Sequence, residues 1–64
     1  MEHYQTWEDA HKAALRLAKE CNLDTRIRKA SKYDVPGFTV GFACKNDSDY
    51  AMAEIVRPSD PWRD

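Results

Sequence analysis

Glycine is scarce in this chain of 64 residues, with only Gly37 and Gly41. Neither stands in a phosphate-binding loop or a dinucleotide fingerprint, where spaced glycines let backbone N–H groups close on phosphate. Cysteine is as rare: Cys21 and Cys44 form no C-x-x-C pair, and His3 and His11 form no H-x-x-x-H pair. A tetrahedral zinc site needs four ligands at such spacings, so neither metal nor cofactor is expected. No charge sign dominates, with ten Lys and Arg against eleven Asp and Glu for a net charge of −1. That balance excludes a strongly basic DNA-coating protein and a strongly acidic DNA mimic. No run of about 18 apolar residues exists, so no membrane-spanning helix is expected. Met1 to Gln5 lack the basic start and apolar core of a secretion signal. The expected location is therefore the cytoplasm, with both thiols reduced.

What is present suits one small domain, residues 1–64. A chain of this size buries only about 60 % of its unfolded surface and has little room for both a core and a deep pocket. Charge is uneven along it: residues 1–32 carry a balance of +2 and residues 33–64 a balance of −3. Such asymmetry can steer a partner or a second copy.

The clearest element is a helix from Trp7 to about Cys21. Thr6 suits the N-cap, and Glu8 and Asp9 place negative charge at the positive end of the helix dipole. No Gly or Pro interrupts the segment, and Ala, Leu, Lys, Glu and Arg dominate it. At about 100° per residue, Trp7, Ala10, Ala13, Ala14, Leu17, Ala18 and Cys21 share the inward side. Lys12, Arg16 and Lys19 lie opposite, with His11 and Leu15 on the border. Asn22 fits the left-handed residue that ends a helix, with Leu23 as its apolar follower.

Three strands are expected after the helix: Thr25 to Ser31, Phe38 to Cys44 and Tyr50 to Arg57. Pro36-Gly37 suits the centre of a type II turn, and Asn46 to Asp49 a hairpin loop. Short connections favour an antiparallel meander. The expected fold class is therefore α+β, one N-terminal helix packed on a three-stranded antiparallel sheet. Residues 58–64 form a C-terminal tail, either loose or docked through Trp62. Trp62 either closes the bottom of the small core, which is the preferred reading, or serves as a short extended anchor for a partner.

A four-residue loop pairs Lys45 with Tyr50. Val40, Phe42, Cys44, Ala51, Ala53 and Ile55 then face the helix with Ile27. The open face holds Arg26, Arg28, Thr39, Gly41, Tyr50, Met52, Glu54 and Val56. A one-residue slip would exchange the faces. Gly41, inside a strand, leaves room for an aromatic ring such as Trp7 or Tyr50 to pack across it.

No catalytic constellation is expected. Cys21 stands at a helix C-terminus, where the dipole disfavours a thiolate, and Cys44 and His11 complete no triad. Asp47 and Asp49 fit turn propensity, in a segment far shorter than the roughly 12 residues of a calcium loop. The helical charge stripe is explained by the pairs Glu8 with Lys12 and Arg16 with Glu20.

The open face mixes guanidinium groups, an aromatic ring, a thioether and a carboxylate. It reads as a partner-binding surface of Arg26, Arg28, Tyr50, Met52 and Glu54, with Tyr50 and Met52 as apolar anchors. The expected function is non-enzymatic protein binding, as a homodimer or as an inhibitor or adaptor of a larger protein. The alternative is weak single-stranded nucleic-acid binding through the same Arg- and Tyr-bearing face. In size and lack of a catalytic motif the chain resembles many small prophage and accessory bacterial proteins.

Overall fold

The computed structural model describes residues 2–30, 33–43 and 53–62. It is an α+β domain in which one helix packs on an open antiparallel sheet. The elements are β1 (Glu2–Tyr4), α1 (Trp7–Cys21), β2 (Thr25–Lys29), β3 (Phe38–Phe42) and β4 (Glu54–Val56).

Helix α1 forms where its signals place it. The Thr6 hydroxyl accepts the Asp9 N–H at 3.2 Å, and Asn22 takes the left-handed conformation at φ 53°. The Asn22 and Leu23 N–H groups both donate to the Ala18 carbonyl, the latter at 3.2 Å, satisfying a carbonyl the helix would otherwise orphan. The inward stripe is rotated from the expected one. Ala10, Ala14 and Ala18 are fully buried with Leu15, while Cys21 is exposed. The three alanines repeat every four residues, and their small size lets α1 lie close over the sheet. Leu15 then becomes core rather than border.

The sheet has four strands in the order β1-β3-β2-β4, not the expected three-stranded meander. Three residues are too few for alternation to register, so β1 carries no strand signal in the sequence. Its presence changes everything after it. Glu2 pairs with Val40 and Tyr4 with Phe38, so β3 has a neighbour on each side and no edge left for β4. Strand β4 therefore pairs with the far edge of β2, Thr25 opposite Val56 and Ile27 opposite Glu54. The expected β3–β4 hairpin and its register are overturned. The loop itself, residues 46–49, lies outside the described residues. Strands β1 and β2 both run antiparallel to β3, so they are parallel to each other with α1 as the crossover, a split β-α-β unit.

The turn between β2 and β3 also differs. Tyr33 and Asp34 take φ of 52° and 63° at the tip, and Gly37 has no positive φ. Gly37 instead continues the ladder, accepting the Ala30 N–H at 3.0 Å. The β2–β3 register puts Tyr33 opposite Asp34, as a two-residue turn with both φ positive requires. The missing side chain at Gly37 serves packing: a Cβ there would collide with the His3 ring and stand 2.6 Å from the Tyr4 carbonyl oxygen. His3 Nε2 in turn lies 3.2 Å from the Ala30 carbonyl, tying β1 to the end of β2.

The core is Ala10, Ala14, Leu15, Ile27, Val40 and Val56, with Tyr4, Trp7, Leu17 and Phe38 packed on its margin. Thr25 is fully buried, and its hydroxyl lies 2.9 Å from the Ala14 carbonyl and 3.2 Å from that of Val56. One hydroxyl thus bridges helix, β2 and β4, satisfying the donor that burial would otherwise penalise.

Candidate partner-binding surface

Pairing with period two assigns the faces. Thr25, Ile27, Val40 and Val56 face α1, so Arg26, Arg28, Thr39, Gly41 and Ile55 turn to the other side. Arg26 and Arg28 share that face as expected, opposite Gly41 and Thr39 respectively. Glu54 and Val56 do not. With β4 on β2, both lie on the helix side: Val56 is core, and the Glu54 carboxylate accepts the Trp7 indole N–H at 2.6 Å. Ile55, expected inside, turns away from the helix for the same reason. Tyr50 and Met52 lie outside the described residues, as does Cys44.

Arg26 is a surface-type residue held nearly buried, 9 % exposed. Gly41 makes this possible. A Cβ on Gly41 would stand 3.1 Å from Arg26 Nη2 and 3.3 Å from Cζ, so the guanidinium lies over the glycine where an aromatic ring was expected. An arginine directly across the ladder reaches this gap without distorting the chain.

A helix is about 10 Å wide. Four strands at about 4.8 Å spacing put the outer ones roughly 14 Å apart. One helix cannot cover them all. Beside α1, over β3, a cleft of about 700 Å³ remains, bounded by Tyr4, Ala13, Leu17, Val40, Gly41 and Phe42 and by the charged Arg16, Glu20 and Arg26. Phe42 faces the helix side as expected, yet it is 48 % exposed because α1 does not reach it. The signal lay in strand count, and β1 was the strand that could not be read.

Along α1, Arg16 and Glu20 form an ion pair at 3.1 Å, exposed on both partners. Trp7 and His11 stack with ring centroids 4.8 Å apart. His11 and Cys21 stand ten residues apart on the same helix, about 15 Å along its axis, so they form no thiol–imidazole pair. Among the described residues no three His, Cys, Asp or Glu gather as a metal-ion site. None of the described helices is long and apolar enough to cross a membrane.

The tail docks rather than closing the core. Arg57 N–H donates to the Asp60 carboxylate at 3.0 Å, forming a turn. Lys19 Nζ donates to the Pro58 carbonyl at 2.9 Å and sits 5.1 Å from the centre of the Trp62 ring. Trp62 remains 63 % exposed. The lysine at the helix end, and not the apolar core, holds it.

The fold defines a two-layer α+β domain built on a split β-α-β unit with a fourth strand added beside β2. Comparison with protein-family models, curated proteins and solved structures returned no match.

Proposed function

We propose that this protein is a non-enzymatic protein-binding module, acting in the cytoplasm as an inhibitor or adaptor of a larger protein. The observation that supports this reading is the uncovered strip beside α1, where Phe42 is half-exposed at a cleft it shares with Leu17, Val40 and the Arg16–Glu20 ion pair. A large apolar ring left at a cleft in so small a domain gains from a partner that removes it from water. The surface moves from the middle of the open sheet face to its β3 edge, and Arg26 belongs to both. Nucleic-acid binding through Arg26 and Arg28 has less support. Arg16, which lines the cleft with Arg26, is paired with Glu20, and Lys19 is engaged by Pro58 and Trp62.

Site-specific photocrosslinking in the producing cells tests this. A benzoylphenylalanine at position 42 should give a discrete protein adduct, and the same group at Tyr33, 89 % exposed at the hairpin tip, should not. Glu54→Ala should leave the adduct unchanged, because Glu54 is occupied with Trp7 on the helix side. A nuclease-sensitive adduct, or no adduct at position 42, would reject the reading. An adduct of twice the chain mass would replace the larger partner with a second copy.

A further inference from the structure

We infer that in the free protein the cleft beside α1 closes on a second copy of this chain, across a two-fold axis that sets the two α1 helices antiparallel and brings the two Phe42 rings together. The inference rests on the protein-binding reading above and concerns the same surface when the larger protein is absent. The flank of α1 carries the first half of the argument. Ala13, Arg16, Leu17 and Glu20 recur at i, i+3, i+4 and i+7, so they share one side of the helix, and all four border the cleft. Ala13 and Leu17 are half-buried. Arg16 and Glu20 carry opposite charges one turn apart, with side chains 75 % and 60 % exposed. Across the cleft stands Phe42, 48 % exposed. Arg26 takes no part, since its guanidinium is nearly buried over Gly41.

The second half is that this flank is its own complement. A two-fold axis passing beside Leu17 reverses the order of residues between the copies. Arg16 of each copy then comes to Glu20 of the other, and no like charges face each other. A parallel pairing would instead set Arg16 against Arg16. Residues nearest the axis meet their own counterparts, Leu17 with Leu17 and Phe42 with Phe42, and both are apolar. Ala13 is small enough to let the helices approach to about 8–10 Å. Taking two half-exposed rings out of water drives the contact. The rim charges set its register more than its strength, because each exchanges one exposed partner for another.

The contact is isologous and uses both clefts, so it ends at two copies rather than propagating. The core stripe of Ala10, Ala14, Leu15 and Ala18 stays on its own sheet, and neither copy has to open. One helix flank and one ring from each copy make a small interface, of the weak class. A second copy therefore holds the cleft in the concentrated free protein, and the larger protein holds it at the low concentration of the cell.

The test uses the full ¹⁵N-labelled chain, purified alone. Between about 20 µM and about 1 mM its sedimenting mass should rise toward two copies while the Ala13, Leu17 and Phe42 amides shift together. Phe42→Ser should weaken self-association at least tenfold. Glu20→Arg leaves two positive charges at the rim, and Arg16→Glu leaves two negative ones. Each alone should weaken self-association at least fivefold, and an equal mixture of the two variants should restore it. Both positions are exposed on α1, so the thermal melts should match the parent and the charge test stands even if Phe42→Ser unfolds. A monomer at about 1 mM overturns the proposal. So do single charge variants that associate like the parent, a mixture no better than either variant, or concentration shifts confined to the Arg28 and Thr39 face. A monomer in solution alongside a position-42 adduct with a larger protein in cells rejects only this inference. Failure of both rejects the protein-binding reading as well. A dimer in solution with only a double-mass adduct in cells upholds the inference and removes the larger protein.

Discussion

Arg26 and Gly41 face each other across β2 and β3, and the guanidinium of one occupies the space where the other has no side chain. Gly37, four residues earlier, is surrounded quite differently, by the His3 ring and the Tyr4 carbonyl. The two glycines should therefore respond oppositely to the same substitution. At Gly41 the near atoms are the far end of a flexible side chain, which can swing aside, and alanine is favoured over glycine in a strand by roughly 0.5–1 kcal/mol. Gly41→Ala should hold or slightly raise stability in urea unfolding while displacing the guanidinium. At Gly37 the obstacle includes backbone. Gly37→Ala should cost about 1–3 kcal/mol, the usual range for overpacking, and should detach β1. Equal effects of the two changes would contradict the packing described here.

Among the described residues Leu15 is the largest fully buried side chain, and Thr25 is fully buried with its hydroxyl bonded across two elements. Leu15→Ala should cost about 2–5 kcal/mol through lost transfer energy and the cavity left behind. A chain of this length is stable by only about 3–10 kcal/mol. The variant should thus melt far earlier or be unfolded at room temperature, as read by circular dichroism. Thr25→Val should cost about 1 kcal/mol, the net value of a hydrogen bond, because the shape is kept. A Thr25→Val loss as large as that of Leu15→Ala would show that the bridge matters as much as the packing.

Lys19 holds the tail by one hydrogen bond and one cation–π contact. The contact contributes about 0.5–1 kcal/mol at an exposed site. Lys19→Ala should free residues 58–62, seen as faster cleavage before Asp60 by an Asp-specific endoproteinase and a change in the fluorescence of Trp62 in a Trp7→Phe background. The melting temperature should hardly move, since Trp62 is not part of the core. A large fall in stability would place the tail in the core after all.

Local chemistry determined the helix and its two ends. Thr6, Asn22 and the alanine-rich run act within a few residues of one another, so they can be read along the chain. The inward turn of Ile27 and Val40, and the outward turn of Arg26, Arg28, Thr39 and Gly41, followed from alternation within single strands. Strand order did not, because it depends on which edges remain free after every other strand has paired. Three residues at the N-terminus took one edge of β3 and sent β4 to the other side of β2. That reversal moved Glu54 and Val56 to the helix side and Ile55 away from it, although their own sequence was unchanged. Only the tertiary structure decided that Phe42, inward by alternation, would be left half-exposed. Helix width against sheet width is a property of the assembled layers, and no residue carries it alone.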